Sequence, residues 1–283
     1  MSLAAAAPAP GSDGWVPELV ALDVDGTLSD YDGRISEPVR RMVSRVRERG
    51  AHVVLATGRS VLATRPIAET LGLDAGLMVC SNGAVLAGIT PPVVLEATTF
   101  DPSAAVRALL ELAPDTLVAV EDVGRGYLVT EPFPDGELMG EQTVCPLAEM
   151  MGRPVTKVVL RRPDSTPEAF FTLVEQAGLH GVNYAIGYSA WLDVLPRNVS
   201  KASTLERVRR QLGVASSATL AVGDGRNDLE MLAWAGWSVA MGNASPEVQD
   251  AADEVAWPVT EDGLVRALAR WFPPLDGADG VGG

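Results

Sequence analysis

Short unbroken runs of apolar residues alternate, along the first third of the chain, with segments in which apolar residues recur at helical spacing. The runs at 19–22, 53–56 and 77–80 predict parallel strands that are buried on both faces. Segments 37–48 and 61–71 carry apolar residues three and four positions apart, which predicts amphipathic helices between those strands. This β-α-β-α-β order favours a right-handed, doubly wound parallel sheet.

The alternation of apolar runs with helical segments stops after residue 82 and resumes at residue 201. Between these points the candidate strands alternate apolar and polar residues, which is typical of a sheet buried on one face. In this middle stretch, strands are predicted at 117–120, 127–130, 157–160 and 182–186. Helices are predicted at about 103–112 and 166–176. Beyond it, strands are predicted at 219–222 and 238–241. Helices are predicted at 201–212, from 227, at 245–252 and at 262–272.

These patterns predict one domain inserted into another. Residues 15–84 and 191–275 form a discontinuous α/β core domain with a Rossmann-like, doubly wound parallel sheet, and residues 85–190 form an inserted α+β domain. The ends, 1–14 and 276–283, are rich in Ala, Pro and Gly and bury almost nothing, so disordered tails are expected there.

Composition and charge narrow the classes of partner. Hydrophobic residues make up 47% of the chain, as in globular proteins, and 37 acidic against 22 basic residues give a net charge of −15. Such a charge opposes binding to nucleic acid and to anionic membranes, so neither is expected as a partner. No apolar run is long enough for a membrane span, and a cytoplasmic protein is expected. Cys80 and Cys145 lie far apart in the sequence and predict buried free thiols.

Two acidic loops follow apolar strands. Asp23 and Asp25 come directly after the first strand, in the sequence DVDGT, and Asp224 and Asp228 follow the strand at 219–222, in GDGRND. Loops at the carboxyl ends of parallel strands share the crevice where open α/β sheets bind ligands. Carboxylates gathered there repel one another unless a cation is present, so the spacing favours a metal site. Turns rich in Asp and Gly also occur without any function, and for each loop taken alone this alternative stays open.

Phosphate-binding groups are also present. Thr57, Gly58 and Arg59 follow the second strand and offer a hydroxyl, backbone N–H groups and a guanidinium at the start of a helix. Lys201 opens the helix at 201–212, and it is one of only two lysines in an arginine-dominated chain. A compact positive charge at that position is unfavourable for the helix and suggests a functional role. A helix cap and an incidental surface lysine are the alternative interpretations.

Together these segments resemble the haloacid dehalogenase superfamily of phosphohydrolases. DVDGT at 23–27 is similar to its first motif, Thr57 to its second, Lys201 to its third and GDGRND at 223–228 to its fourth. SNGA at 81–84 and MGNA at 241–244 resemble the Cof-type subfamily (type IIB), which carries an α/β cap domain between the second and third motifs. The insert at 85–190 falls at that place.

The resemblance implies a fold, a cofactor and a role for each residue. Asp23 would be the nucleophile that forms an aspartyl-phosphate, and Asp25 would act as general acid and base. Mg²⁺ would be held by the side chains of Asp23 and Asp224, by the backbone carbonyl of Asp25, and by Asp228 through water, unless Asp228 only holds the loop. The transferring phosphoryl group would be bound by Thr57, Gly58, Arg59, Lys201 and Asn227.

The expected substrate is a small phosphorylated metabolite such as a sugar phosphate. Arg125 and Lys157 in the cap are possible contacts to its leaving group, although a solvated charge is the favoured interpretation of each. A phosphomutase similar to the phosphomannomutases and a non-catalytic phosphate-sensing protein remain as alternatives. The segment 187–191 lacks the last glycine of a nucleophile elbow, and no Walker A sequence is present, which excludes the serine hydrolase and P-loop classes.

Overall fold

The computed structural model of the protein describes residues 8–186 and 189–274. Its strands are, in chain order, β1 Leu19–Leu22, β2 His52–Ala56, β3 Leu77–Cys80, β4 Val85–Gly88, β5 Val94–Ala97, β6 Leu117–Asp122, β7 Gly126–Val129, β8 Glu141–Val144, β9 Val158–Arg161, β10 Val182–Ile186, β11 Trp191–Pro196, β12 Thr219–Gly223, β13 Trp237–Ala240 and β14 Glu254–Val255. Its helices are α1 Glu37–Glu48, α2 Val61–Thr70, α3 Ser103–Leu112, α4 Leu147–Met151, α5 Pro167–Ala177, α6 Lys201–Leu212, α7 Leu229–Trp234, α8 Pro246–Asp250 and α9 Gly263–Leu268.

The chain divides into two compact units. The first comprises Met1–Ala56, Glu69–Gly76 and Leu205–Gly283, and the second comprises Thr57–Ala68 and Leu77–Thr204. The predicted domain boundaries at 84/85 and 190/191 lie inside the second unit and stay a prediction. The tail predicted at 276–283 and the first seven residues of the tail predicted at 1–14 lie outside the described residues.

The first unit contains a parallel sheet in the order β14-β13-β12-β1-β2. All four residues of β1 and all five of β12 are buried, as expected of strands with both faces covered. Leu22, the last residue of β1, pairs with Val222 on one side and with Leu55 on the other, and each neighbouring strand extends one residue further. The parallel α/β core predicted from the apolar runs is therefore confirmed.

Helix α1 shows why these segments fold as they do. The hydroxyl of Ser36 caps it by accepting the backbone N–H of Val39 at 3.2 Å, and a proline follows at the first turn, where its missing N–H costs nothing. Its apolar face is buried, as the spacing of apolar residues predicts. Helix α9 is shorter than the predicted 262–272, because Asp262 adopts a left-handed conformation and the helix ends at Leu268.

The second unit contains two sets of paired strands. One is the antiparallel set β3-β4-β5, and the other has the order β10-β11-β9-β6-β7-β8, antiparallel except for the parallel pair β7 and β8. The prediction of a sheet buried on one face is wrong for its central strands, since every residue of β9 is buried. Val158 and Leu160 pack with α3 and α5, whereas Val159 packs on the other face with Tyr127 and Phe133.

Four strands of this unit were not predicted: β4, β5, β8 and β11. All residues of β5 are exposed and β8 is nearly so, and such strands carry no apolar alternation that a sequence pattern would reveal. No helix among residues 8–186 and 189–274 has both the length and the apolar character needed to cross a bilayer.

Candidate active site

Three buried carboxylates converge at one end of the parallel sheet. Asp23 follows β1, and Asp224 follows the neighbouring strand β12; the backbone N–H of Asp23 donates to the carbonyl of Val222 at 3.0 Å. Carboxylate oxygens of Asp23, Asp224 and Asp228 all lie within 4.8 Å of one another. The three residues are only 5%, 3% and 0% exposed, so water screens their mutual repulsion poorly. A bound cation would remove that repulsion.

The turn after β1 brings its backbone against Asp224. The carbonyl of Val24 accepts the N–H groups of both Leu28 and Ser29 at 2.9 Å, which winds the chain tightly. Gly26 has a φ of +81°, and a Cβ atom built on it would lie 2.1 Å from Oδ2 of Asp224. Only glycine fits this position, because both the backbone conformation and the close approach exclude a side chain.

The loop after β12 is held by one of its own carboxylates. Oδ2 of Asp228 accepts the backbone N–H of Asp224 at 3.1 Å and that of Gly225 at 2.9 Å. Residues Arg226–Asp228 form a 3₁₀ turn, so α7 begins at Leu229 and not at the predicted position 227. Asp228 therefore belongs to the acidic group and also fixes the loop that carries Asp224.

Asn243 supports this group and was missed as a site residue. Its Nδ2 lies 3.1 Å from Oδ2 of Asp224 and 3.0 Å from the carbonyl oxygen of Gly26, while its Oδ1 accepts the N–H of Val259 at 2.8 Å. The amide thus links the two acidic loops. The sequence MGNA at 241–244, which contains Asn243, could have indicated this role, but it was used only for the resemblance to the Cof-type subfamily.

Two further predicted residues of this unit are half-buried. Asp25 lies two residues after Asp23, and among the described residues its side chain does not belong to the close acidic group. A role through its backbone carbonyl, as predicted, does not need the side chain there. Asn227 lies in the 3₁₀ turn beside Asp228.

The second unit brings Thr57 and Lys201 to one turn, Ser81–Gly83. The backbone N–H of Asn82 donates to the carbonyl of Thr57 at 2.9 Å. On the other side of the turn, a Cβ atom on Gly83 would lie 2.1 Å from the carbonyl oxygen of Ser200 and 3.1 Å from the backbone nitrogen of Lys201. Ser81 and Asn82 both adopt left-handed conformations to make this turn. The predicted phosphate-binding residues therefore share one structural support.

Both of these predicted residues are buried polar groups. Thr57 and Lys201 are each 1% exposed. The hydroxyl oxygen of Thr57 accepts the backbone N–H of Arg59 at 3.1 Å, which shapes the segment 57–59 into a tight turn. Lys201 is the first residue of α6, as predicted. Gly58 and Arg59 are half-buried.

Two basic residues of the predicted cap were expected to be solvated charges, and this prediction is wrong for one of them. Arg125 is exposed, in line with a solvated charge, but Lys157 is 2% exposed. Its Nζ donates to the carbonyl of Gly58 at 2.9 Å and lies 3.9 Å from Oδ2 of Asp193. The solvated interpretation failed because the residues that compensate its charge lie on other strands, distant in the sequence.

The charge states in this buried group follow from its neighbours. Burial lowers the pKa of Lys157, but Asp193, Tyr127 and Glu121 together outweigh that effect and hold the pKa above its ordinary value. Burial raises the pKa of Asp193, against the opposing effects of Lys157 and of a hydrogen bond from Trp191. Lys157 is therefore a protonated amine that contacts a carboxylate.

The acidic group of the first unit fits Mg²⁺. Its ligand atoms are carboxylate oxygens, the hard donors that this ion prefers, and their separation lets one small ion contact several of them.

Cys80, the buried thiol, lies in the second unit and forms a hydrogen bond with Thr64. Cys145 is half-buried and not fully buried as predicted; both are free thiols.

Comparison with known proteins decides the family. A model of the haloacid dehalogenase-like hydrolases matches residues 20–268, which is most of the chain. The chain belongs to this family. YkrA of Bacillus subtilis (strain 168) is 30% identical to it over 258 residues, covering 89% of this chain and 96% of YkrA. YitU of the same organism, named a 5-amino-6-(5-phospho-D-ribitylamino)uracil phosphatase, is 28% identical over 265 residues, covering 90% of this chain and 98% of YitU.

A solved structure agrees with these relatives. BT1666 of Bacteroides thetaiotaomicron, a phosphatase of the haloalkanoate (HAD) superfamily, is similar with a TM-score of 0.74 and 28% identity, covering 92% of this chain and 99% of that one. The family, the fold class and the Cof-type resemblance expected from the motifs are confirmed. The chain is an enzyme, a phosphatase of the haloacid dehalogenase type that acts on phosphorylated substrates.

Proposed function

We propose that this phosphatase hydrolyses a small phosphomonoester, such as a sugar phosphate, with Mg²⁺ as cofactor and an aspartyl-phosphate as intermediate. The observation that carries the proposal is the convergence of three buried carboxylates within 4.8 Å, one of which, Asp23, stands directly at the end of a buried strand. Family membership supports the same chemistry, because the superfamily uses Mg²⁺ and an aspartyl nucleophile.

In the first step a carboxylate oxygen of Asp23 attacks phosphorus in line with the leaving oxygen. The P–O bond of the ester breaks, and Asp25 gives its proton to the departing alkoxide. Asp25 is half-buried while Asp23 is buried, so the two carboxyl groups have different surroundings, as their different roles require.

In the second step water attacks the phosphorus atom of the aspartyl-phosphate. Asp25 takes the proton of that water, the bond between phosphorus and the Asp23 oxygen breaks, and inorganic phosphate leaves with the enzyme restored. Mg²⁺ would be held by the side chains of Asp23 and Asp224 and by the backbone carbonyl of Asp25, and when bound it would supply positive charge that offsets the repulsion between the nucleophile and the phosphate. Asp228 holds the loop and would contact the ion through water.

The phosphoryl group is bound by the other predicted residues. Lys201 supplies a compact positive charge, Thr57 a hydroxyl, and Gly58 and Arg59 backbone N–H groups and a guanidinium. Asn227 supplies a side-chain amide. This assignment is supported by the common attachment of Thr57 and Lys201 to the Ser81–Gly83 turn.

A small substrate is supported by charge and by a relative. The net charge of −15 opposes binding of polyanions. YitU carries the name of a phosphatase for a single small phosphorylated compound. We therefore place the substrate among small phosphorylated metabolites.

The test is release of inorganic phosphate from a panel of phosphorylated metabolites with and without Mg²⁺. Wild type is compared with Asp23→Asn and with Asp32→Asn, a matched control whose carboxylate is 69% exposed in the same region of the chain. We expect Mg²⁺-dependent release in wild type and in the control, and its loss in Asp23→Asn although this variant keeps the fold. Release that persists in Asp23→Asn would refute the nucleophile assignment, and transfer to a second sugar hydroxyl without phosphate release would indicate a mutase.

A further inference from the structure

The segment 57–59 has all three of its backbone carbonyls engaged. The N–H groups of Asn82 and Ser81 donate to the first and the third, at 2.9 and 2.8 Å. The second, that of Gly58, accepts from Nζ of Lys157 at 2.9 Å. Two anchors therefore come from one neighbouring turn, and the third comes from a side chain 99 residues away in the sequence.

The residues around Lys157 tie it to the same turn. Asn82 Nδ2 donates to Oδ2 of Asp193 at 2.9 Å, and the hydroxyl of Ser81 donates to the carboxylate of Glu121 at 2.8 Å. Indole Nε1 of Trp191 donates to the other oxygen of Asp193 at 2.8 Å. Lys157 and the two carboxylates thus form a buried charged network, in which Asp193 lies 3.9 Å from Nζ of Lys157 and both carboxylates accept hydrogen bonds from the Ser81–Gly83 turn.

A buried positive charge is costly, and a backbone carbonyl is an unusual partner for it. Burying an ammonium group is strongly unfavourable unless charge partners and hydrogen bonds offset the loss of hydration. Here two carboxylates offset the charge, yet Nζ lies closer to the Gly58 oxygen, at 2.9 Å, than to Oδ2 of Asp193, at 3.9 Å. The geometry directs the amine at the loop and not only at its counter-ions.

The contact has a consequence for Thr57 because the peptide bond is planar. The carbonyl of Gly58 and the N–H of Arg59 belong to one peptide unit and point in opposite directions. A fixed carbonyl therefore fixes that N–H, which donates to the hydroxyl oxygen of Thr57 at 3.1 Å. Once its oxygen is engaged in this way, the hydroxyl has its hydrogen to offer to another acceptor.

We propose that Lys157 is a positioning residue for phosphoryl binding: by holding the Gly58 carbonyl it orients the Gly58–Arg59 peptide, and through it the hydroxyl of Thr57, for donation to a phosphoryl oxygen. The inference rests on the proposed function, in which Thr57 binds the phosphoryl group. Glu121 and Asp193 both favour the charged amine, so Glu121 still does so when Asp193 is replaced, and both carboxylates accept hydrogen bonds from the turn that also supports Lys201.

The decisive variant removes the donor without changing the net charge of the network. Lys157→Met alone leaves two buried carboxylates uncompensated, which destabilises the fold for reasons unrelated to the loop. The double variant Lys157→Met/Asp193→Asn restores the single net negative charge of the wild-type trio. Asp193→Asn alone is the companion variant, because it keeps Lys157 and its bond to Gly58 and loses only a counter-ion.

The readouts are kcat, KM, inhibition by inorganic phosphate and melting temperature. We expect the double variant to lose about tenfold or more in kcat and to bind phosphate correspondingly more weakly, since small errors of orientation are costly in catalysis. Asp193→Asn is expected to lower the melting temperature but to keep kcat within about twofold. A double variant with wild-type kcat and phosphate inhibition, or a loss of about tenfold in kcat in Asp193→Asn, would overturn the proposal.

A second comparison separates positioning from general damage. In a Thr57→Val background the hydroxyl is absent, so removal of Lys157 is expected to cost less than about twofold further in kcat. An equal loss in both backgrounds contradicts action through Thr57. If wild type releases no phosphate from any phosphomonoester, the proposed function fails, and the same variants are then compared by calorimetric binding of inorganic phosphate.

Discussion

Replacement of Gly26 by alanine tests whether the turn after β1 sets the position of a metal ligand. Gly26 has a φ of +81°, so alanine there costs about 1–2 kcal/mol of stability from the backbone alone. The added Cβ would also lie 2.1 Å from Oδ2 of Asp224. Because carbon and oxygen atoms in contact stay more than 3 Å apart, the carboxylate has to move by about 1 Å.

A displacement of this size matters for Mg²⁺, which accepts ligands only near 2.0–2.1 Å in an octahedral arrangement, so about 1 Å removes Asp224 as a direct ligand. We expect Gly26→Ala to weaken Mg²⁺ binding by about tenfold or more, as loss of supporting contacts in metal sites does. The assays are calorimetric Mg²⁺ binding, the Mg²⁺ dependence of turnover, and denaturant unfolding.

Gly50→Ala is the matched control. Gly50 has a φ of +85°, but a Cβ atom there meets nothing within 4 Å. The control is expected to lose the same 1–2 kcal/mol, roughly, while keeping wild-type Mg²⁺ affinity. If Gly26→Ala binds Mg²⁺ as tightly as Gly50→Ala does, Gly26 does not act through Asp224 and the argument is refuted.

Three further outcomes are expected. Asn243→Ala removes the amide that links the two acidic loops and should raise the Mg²⁺ concentration for half-maximal turnover by about tenfold, measured by titration; an unchanged value would exclude Asn243 as a support. Mg²⁺ should raise the melting temperature of wild type but not of Asp224→Asn, and an equal shift would place the ion elsewhere. At pH 8 a thiol reagent should modify Cys145 first, because burial raises the pKa of Cys80 to about 12 and leaves about one thiolate in ten thousand; rapid native labelling of Cys80 would contradict its burial.

The parallel core and its acidic loops were predictable because their signals are local. A strand buried on both faces reads as an apolar run, and the polar residue that follows marks the end of the strand. This placed Asp23 and Asp224 correctly at the ends of β1 and β12. Helix α3, with bounds at Ser103–Leu112, was predicted from the same kind of local spacing.

The missed features depend on contacts between residues distant in the sequence. Lys157 stood out only as a rare lysine, and its partners Gly58 and Asp193 are brought to it by the fold. Asn243 reaches the carbonyl of Gly26, 217 residues away. Strand β5 has four exposed residues, so its pairing with β4 leaves no trace in the apolar pattern.

Covalent capture of the phosphoryl group on Asp23 is the most direct test of the proposed mechanism. With p-nitrophenyl phosphate the leaving group needs no proton, so Asp25→Asn should still transfer phosphorus to Asp23 but should fail to activate the water that releases it. We predict a burst of one p-nitrophenolate per chain with Mg²⁺ present, and a phosphoryl adduct located on Asp23 by mass spectrometry. No burst and no adduct in a folded Asp25→Asn variant, while wild type turns over the same substrate, would contradict an aspartyl-phosphate route.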